Sequence, residues 1–382
     1  MKISIFIFLL FLLIGCDKPS KKNNVQGVLG EESSKVEIKQ TEIFADPDFT
    51  EGIYLTGWTV ASKKFQTILD SASEAGINTV VFDVKNMDGD IFVNYPQIEP
   101  LSRENIKPII DINDVADALH ARNMKAVARI VMFHDQYVAK IDSTLRPQKV
   151  DSTAWRESKR RKASWLDSSH PKVQQRLQDL VQYVCKNGVD EIQLDYIRFP
   201  TGGKLSAAKF YFQKEDSLLS VSDSLYVFRN KEDIIVDFIK GLQLICKDYG
   251  VKLTADVFAI VAWQRAVDVS NTGQNIRRIT QVLDAIHPML YSSHFNSNFG
   301  HRENIENEPY YITYQATKLA QKHSECKVIP YIQAFGYRVN YNEEYILSQI
   351  EAVRNVHADG YILWNSSSNY WRALRWIRDS KK

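Results

Sequence analysis

Asp190-Glu-Ile-Gln-Leu-Asp-Tyr-Ile-Arg-Phe-Pro200 decides the fold, because an apolar strand pattern ends here in polar residues. Such a strand delivers Asp195, Tyr196 and Arg198 to its C-terminal end. In a parallel α/β barrel, the C-terminal ends of the strands carry the active site. The stretch therefore predicts both a barrel strand and the place where the chemistry lies.

The same unit, an amphipathic helix followed by a glycine or polar break and a strand, recurs along the chain. Alternating helices and strands favour a parallel sheet, and eight strands fit an α/β fold, the (β/α)8 TIM barrel. The predicted strands are Ile53–Thr59, Asn78–Val84, Lys125–Phe133, Glu191–Ile197, Lys252–Phe258, Ala285–Tyr291, Lys327–Phe335 and Gly360–Asn365. An open doubly wound sheet is the alternative, but no glycine-rich phosphate loop follows any strand, as a nucleotide site would require.

Two long loops are predicted, one after strand 3 and one after strand 4. The first runs from His134 to Pro171, and the second from Thr201 to about Asp233. The first loop carries the charged run Arg156–Lys162, which is typical of a solvated face; contact with an acidic glycan or a membrane surface is the alternative. Long loops on the active-site face commonly form the walls of a cleft.

The N-terminal region predicts export and lipid anchoring. The apolar run Ile5–Ile14 is too short to span a bilayer and is typical of a secretory signal. Its ending resembles the bacterial lipoprotein cleavage box, which implies that Cys16 becomes the lipidated N-terminal residue; an ordinary signal peptide is the alternative. Residues 17–45 are polar and predict a flexible tether, so the barrel domain is expected over residues 46–382. We therefore expect a lipid-anchored protein of the bacterial cell envelope.

Composition argues against several functional classes. The formal net charge of the 382 residues is +2, which gives no sign of a nucleic-acid partner. Cys185, Cys246 and Cys326 fit no zinc motif and are interpreted as buried thiols, with one disulfide as the alternative. His134 and His287 are isolated from other ligand types, so we expect neither a metal nor another cofactor.

Polar residues recur near the C-terminal ends of the predicted strands, where a purely structural barrel would favour Val, Ile and Leu. Residues two apart on a strand share a face, which groups Asp83 with Lys85, Gln193 with Asp195, Thr254 with Asp256, Tyr291 with His287 and Met289, and Tyr331 with Gln333. Burying so many polar groups costs stability unless they pair or bind a substrate. A structural network, in which Lys85 or Arg129 neutralises Asp83, is the alternative. Trp364 and Asn365 form either a sugar platform or a closure of the barrel.

These strand ends resemble the bacterial putative glycosyl hydrolase domain family, a TIM-barrel group related to α-amylase-like glycosidases. The matching segments run in the family's order from about Gly52 to Tyr370, and they are Phe82–Gly89, Ala128–Phe133, Asp190–Pro200, Ala255–Phe258, His287–His294, Tyr331–Phe335 and Gly360–Asn365. Two departures are Phe258-Ala259, where the family usually has Phe-Gly, and Ser292, where proline is common. They put the detailed shape of the substrate subsite in doubt but leave the barrel intact.

The resemblance implies a glycoside hydrolase acting on an extracytoplasmic or cell-envelope polysaccharide. Such hydrolysis generally uses two carboxyl groups flanking the scissile bond. Asp195 occupies the place where related glycosidases carry the nucleophile, and Asp256 is the acid/base candidate. Residues expected to bind the substrate are Asp83, Lys85, Arg129, His134, Tyr196, Arg198, His287, Tyr291, Gln333, Trp364 and Asn365.

Two other functional classes remain open at this point. A non-catalytic glycan-binding lipoprotein on a degenerate barrel would keep the aromatic platform, and the absence of an obvious Glu at any strand end favours it. A metal-dependent deacetylase would need a clustered His/Asp triad, which the sequence does not offer.

Overall fold

Eight parallel strands form a closed barrel in the computed structural model, which describes residues 44–96 and 105–382. The first barrel strand pairs with both the second and the last, so the sheet has no open edge there. The strands, in chain order, are β1 Thr50–Leu55, β2 Thr79–Lys85, β3 Ile91–Val93, β4 Ile106–Ile110, β5 Lys125–Val131, β6 Glu191–Asp195, β7 Lys252–Val257, β8 Ala285–Leu290, β9 Lys327–Val328, β10 Tyr331–Gln333 and β11 Gly360–Trp364. The predicted (β/α)8 barrel is confirmed, and the open sheet is excluded.

Helices follow the strands and pack around the outside of the barrel. Within the described residues they are α1 Gly57–Val60, α2 Phe65–Glu74, α3 Ile112–His120, α4 Gln136–Ile141, α5 Pro171–Cys185, α6 Tyr211–Ser222, α7 Lys231–Asp248, α8 Ala266–Thr272, α9 Ile276–Ile279, α10 Pro309–His323, α11 Glu343–Asn355 and α12 Trp371–Ser380. None of the helices in this part of the chain is long and apolar enough to cross a bilayer.

Several element boundaries differ from the sequence-based expectation. The first strand ends at Leu55 rather than Thr59, because the Thr56 side chain accepts a hydrogen bond from the Thr59 N–H and starts α1. The seventh barrel strand is divided into β9 and β10 around Ile329-Pro330, since proline has no N–H to donate to the hydrogen-bond ladder. A short antiparallel partner of β2, the strand β3, pairs in turn with β4 and was not anticipated.

Two apolar layers hold the fold together. The larger one lies between the strands and the helices and includes Leu69, Val181 and Ile239, each 0% exposed. The smaller one fills the barrel interior with side chains such as Val127 and Tyr331. Burial of this kind is the main favourable contribution to folding.

The cysteines described here are free thiols. Cys185 on α5 and Cys246 on α7 are buried, with their Sγ atoms 3.7 Å apart and unbonded, whereas Cys326 is half-buried. Cys16 and nearly all of the predicted tether lie outside the described residues. Of the tether, Phe44 is described, and its ring stacks on His120 with centroids 5.1 Å apart.

A charged cluster closes the N-terminal end of the barrel. Asp46 pairs with Lys125 at 2.7 Å, with Lys327 at 3.1 Å and also with Lys252. Lys125 in turn pairs with Glu191 at 2.6 Å. Because the three lysines and Glu191 are the first residues of their strands, the cluster lies at the end of the barrel opposite the predicted site, where polar residues serve stability.

Candidate active site

A cleft of about 620 Å³ opens at the C-terminal ends of the barrel strands. Side chains that line it come from strands far apart in sequence, among them Tyr54, Asp83, Arg129, Asp195, Tyr291 and Trp364. Barrel closure brings these strand ends together, as expected for a TIM barrel. Asp83, Arg129 and Asp195, which the sequence analysis selected as site residues, thus lie together in one cleft.

The Arg129 side chain lies at the centre of this site and meets three carboxyl groups. Its Nη1 donates to Asp83 Oδ1 and its Nη2 donates to Asp195 Oδ2. Its Nε lies 3.9 Å from Asp256 Oδ2. The strand register explains this convergence, because Arg129 pairs with Asp83 across β2 and β5, and β6 and β7 follow in order.

Asp195 accepts hydrogen bonds from two donors. Besides the Arg129 bond, its Oδ1 accepts the backbone N–H of Tyr196 at 2.6 Å. Tyr196 adopts a left-handed backbone conformation, with φ of 51°, which costs a residue with a Cβ about 1–2 kcal/mol. Strained backbone of this kind persists where the surrounding structure enforces it, and it often occurs at functional sites.

Asp256 has a different environment on the neighbouring strand. It is 1% exposed, and neither of its carboxyl oxygens has a hydrogen-bond partner among the described residues. Burial, and then the charge of Asp195, raises the pKa of Asp256 well above its ordinary value. Three carboxyl groups around one guanidinium cannot all ionise at low cost, and Asp256, which has no hydrogen-bond donor, is the one whose protonated form is favoured. It does not line the cleft itself but lies beneath its floor.

Asp83 is the third member of the cluster. Its Oδ2 accepts the hydroxyl of Tyr54 at 2.6 Å, and its Oδ1 accepts from Arg129. Burial raises the pKa of Asp83, while Arg129 and Tyr54 oppose that shift by stabilising its charge. Asp83 thus has the two donors that Asp256 lacks, and we assign the shared proton to Asp256.

An aromatic wall stands beside the carboxyl groups. Tyr54 and Trp364 stack with centroids 4.0 Å apart and planes 18° apart, and Tyr291 extends the stack at 6.1 Å from Trp364. The Arg129 guanidinium lies 5.2 Å from the Tyr54 ring and 5.3 Å from the Trp364 ring. The wall therefore holds the central cation and lines the cleft with aromatic rings.

Arg198 forms part of the opposite wall. Its guanidinium lies 4.7 Å from the ring of Phe258, 4.9 Å from Trp165 and 5.4 Å from Tyr196. It donates to the Phe199 carbonyl at 3.1 Å and pairs with no carboxylate among the described residues. A cation at this position can donate hydrogen bonds to a ligand in the cleft.

Other residues expected to bind substrate lie away from the cleft. Lys85 follows a bulge in β2 and pairs with Asp135 at 3.1 Å in the interior. Burial alone would raise the pKa of Asp135, but Lys85 and Arg176 hold it below its ordinary value. His134 lies behind Tyr196, with ring centroids 4.8 Å apart, and burial lowers its pKa, so it is neutral.

His287, Gln333 and Asn365 take part in structural hydrogen bonds. His287 Nδ1 lies 2.9 Å from the Ile329 carbonyl, and its Nε2 faces Glu191 in the lower part of the barrel. Gln333 accepts the Ser293 N–H at 3.2 Å and donates to the Phe335 carbonyl at 2.9 Å. The Asn365 carboxamide is occupied by the loop that follows it.

Some residues of the cleft were missed in the sequence. Tyr54 was overlooked because the first strand was placed too far along the chain, which put its end at Thr59. Asp88 lines the rim, and the signal for it was present in the segment Phe82–Gly89. Phe295 and Phe299 come from a loop with no strand pattern, so nothing in the sequence could place them. Within the described residues, no three His, Cys, Asp or Glu side chains converge as a metal site would require.

A sequence profile described as a putative glycosyl hydrolase domain matches residues 52–370, which is most of the chain. The chain belongs to the putative glycosyl hydrolase domain family. Membership in this glycosyl hydrolase family confirms the resemblance seen in the strand-end motifs and the prediction of a glycoside hydrolase, with a carbohydrate as the substrate class. No curated protein sequence matches the chain at a significant level.

Solved structures share the barrel of this glycosyl hydrolase family member. The PgaB (BpsB) glycoside hydrolase domain from Bordetella bronchiseptica has a TM-score of 0.61 and 14% identity, over 87% of this chain and 98% of that one. The β-galactosidase from Marinomonas ef1 has a TM-score of 0.56 and 9% identity, over 87% and 58%. The catalytic domain of β-amylase from Paenibacillus polymyxa has a TM-score of 0.55 and 10% identity, over 88% and 100%. At sequence identities this low, the similarity shows a shared fold and nothing more.

Proposed function

We propose that this protein hydrolyses glycosidic bonds in an extracytoplasmic or cell-envelope polysaccharide through a pair of carboxyl groups, Asp195 and Asp256. The observation that carries the proposal is that these two carboxyl groups, beside the same guanidinium, differ in their hydrogen-bond donors. Asp195 has two hydrogen-bond donors that stabilise a charge, whereas Asp256 has none and keeps a proton. Glycosidases need such a pair, in which the two environments favour opposite protonation states.

Asp195 is the group that stabilises or attacks the oxocarbenium-like carbon. It lines the cleft, and its carboxyl oxygens accept hydrogen bonds from Arg129 and from the Tyr196 N–H. Preorganised donors of this kind keep the carboxylate oriented without any rearrangement during the reaction. The Tyr54–Trp364 stack and Tyr291 line the cleft beside it and offer apolar surface to a sugar ring.

Asp256 supplies the proton to the leaving oxygen. Because its carboxyl group lies beneath the cleft floor, the proton reaches the substrate by rotation of the Asp256 side chain toward the cleft. Burial raises the pKa of Tyr291 well above its ordinary value, so the hydroxyl of this cleft residue stays protonated.

The assignment of the acid is tested by the dependence of hydrolysis on the leaving group. Asp256→Asn should strongly slow cleavage of glycosides with alkyl leaving groups but slow nitrophenyl glycosides far less, because nitrophenolate needs little protonation. Asp83→Asn is the matched control, since it changes another carboxyl group on the same guanidinium and should slow both substrates alike. Equal losses for both substrates in Asp256→Asn would remove Asp256 from the role of acid.

One observation favours a second function, a non-catalytic glycan-binding protein on the same barrel. Asp256 is 1% exposed and does not line the cleft, so a substrate cannot touch it in this conformation. A protein of this class would bind polysaccharides through the aromatic wall and release no new reducing ends from any of them. Cleavage by the wild-type protein that Asp195→Asn abolishes would exclude it.

The proposed location is the bacterial cell envelope. It rests on the apolar run Ile5–Ile14 and on Cys16, which lie outside the described residues. A diacyl or triacyl group on Cys16 would provide the multiple acyl chains that stable membrane attachment needs. The barrel would then work on polysaccharide at the membrane surface.

A further inference from the structure

A groove of about 530 Å³ adjoins the cleft and displays two exposed tryptophans. It runs between the segment α1–α2 and the start of α12, and its lining includes Trp58, 52% exposed, and Trp371, 68% exposed. The other five tryptophans of the chain are buried or half-buried. Exposed aromatic side chains along one groove indicate a ligand-binding surface.

The groove is continuous with the cleft. Trp58 lines both of them. Past the end of β11, Ser366 lines the cleft, and the next three residues, Ser367–Asn369, line the groove. A ligand that extends out of the cleft past Trp58 therefore enters the groove directly.

The loop between the cleft and the groove is held in place by hydrogen bonds. The Asn365 side chain accepts the N–H groups of Ser367 and Asn369, at 2.9 Å and 3.3 Å, and donates to the Ala334 carbonyl at 2.7 Å. Ser368 accepts the backbone N–H of Thr56 at 3.0 Å, which ties this loop to the end of β1. The groove is thus preorganised by the same strand ends that carry the cleft.

The lining suits sugar units that carry no charge. Besides the two tryptophans, hydroxyl groups recur along it, at Thr59, Ser62, Thr67 and Ser71. Lys64 is the one charged side chain in the lining among the described residues. Indole faces pack against the C–H faces of pyranose rings, and side-chain hydroxyls both donate and accept hydrogen bonds with sugar hydroxyls.

We propose that this groove is an extended set of subsites, which holds the uncharged units of a polysaccharide chain that runs from the cleft over Trp58 to Trp371. The proposal rests on the proposed function, because it takes the cleft to be the place where the bond is cleaved. It makes the protein a binder of long chains, whose affinity for polysaccharide exceeds its affinity for a short oligosaccharide of the same sugar.

Affinity electrophoresis tests the groove without any turnover. Gels are cast with starch, xylan, soluble β-1,3-glucan or glycol chitin, and the migration of wild type, Trp371→Ala and Phe228→Ala is compared. Phe228, 58% exposed on a loop away from the groove, is the matched control for loss of an exposed aromatic ring. We expect at least one polysaccharide to retard the wild type, and Trp371→Ala to bind it about tenfold more weakly, or about 1.4 kcal/mol. Phe228→Ala should migrate like the wild type.

Two results would refute the proposal that the groove binds polysaccharide. One is equal retardation of Trp371→Ala and wild type by a polysaccharide that binds, with equal melting temperatures showing that both are folded. The other is no retardation of the wild type by any of the four glycans. The proposed hydrolysis fails separately, when Asp195→Asn cleaves as fast as the wild type. If Trp371→Ala lowers kcat/KM at least about tenfold more for polysaccharide than for a trisaccharide, the groove guides the chain that is cleaved.

Discussion

The charge state of Asp256 governs both chemistry and stability at the residue scale. In the folded protein this carboxyl group keeps its proton to a pH far above its ordinary pKa of 3.8, whereas the unfolded chain releases the proton near that value. A folded pKa that is raised in this way contributes stability at low pH, and the contribution is lost as the pH rises toward the folded pKa. Asp256 therefore lowers the stability of the wild-type protein as the pH rises from 3.8 toward the folded pKa.

Asp256→Asn should remove that loss, because asparagine resembles the protonated carboxyl group but cannot titrate. The free energy of unfolding of Asp256→Asn, minus that of the wild type, should rise by about 1.4 kcal/mol per pH unit. Urea denaturation at pH 5, 6 and 7 measures it. Asp248→Asn, at an exposed position on α7, should give a difference that stays flat. A flat difference for Asp256→Asn as well would show that Asp256 is ionised in the fold.

The site was only partly predictable from single residues. Asp83, Arg129, Asp195, Tyr291 and Trp364 meet in the cleft because strand alternation, a property of the sequence, points them inward. Lys85 was grouped with Asp83 by the same rule, yet a bulge between them sends Lys85 to Asp135. Bulges depend on pairing between strands, which no local pattern reveals.

At the scale of elements, the strands were more predictable than their connections. Apolar runs of five to seven residues between polar breaks placed the barrel strands within a few residues. The short strands β3 and β4 were missed because they pair outside the barrel. The helix α9 ends at Ile279, where the Thr280 hydroxyl donates to the Ile276 carbonyl at 2.7 Å.

The start of the barrel domain is fixed by an element-scale contact, the cluster of lysines around Asp46. Burial alone would raise the pKa of Asp46, but hydrogen bonds from Lys125, Lys252 and Lys327 hold it well below its ordinary value. A depressed folded pKa contributes stability above the unfolded pKa, and the contribution is lost as the pH falls below it.

Asp46→Asn should lower the free energy of unfolding at pH 7 by about 1.5–3 kcal/mol, because three strand-end lysines lose their charged acceptor. The loss should shrink as the pH falls below about 4. Thermal unfolding at pH 7 and pH 3 measures both effects. Asp48→Asn, two residues away and exposed, is the control and should change little. A loss of equal size at both pH values would mean that shape, and not charge, is what Asp46 contributes.

At the scale of the whole molecule, the proposed anchor decides where the barrel works. Cys16→Ser should move the protein from the membrane fraction to the soluble fraction, because no acyl chain can then be attached. Fractionation of cells and mass spectrometry of the mature N-terminus measure the outcome. A variant that stays with the membrane, with a mature N-terminus elsewhere, would refute lipidation at Cys16.

The central claim is that the Asp195 carboxylate, held by Arg129 in the cleft, brings about cleavage of a glycosidic bond. The most direct measurement is the release of new reducing ends from a polysaccharide by wild type and Asp195→Asn, with binding to the same polysaccharide measured in parallel. Asparagine keeps the size and removes the charge, so we expect binding to persist while turnover falls by several orders of magnitude. Undiminished turnover in Asp195→Asn would contradict the assignment of this cluster as the catalytic centre.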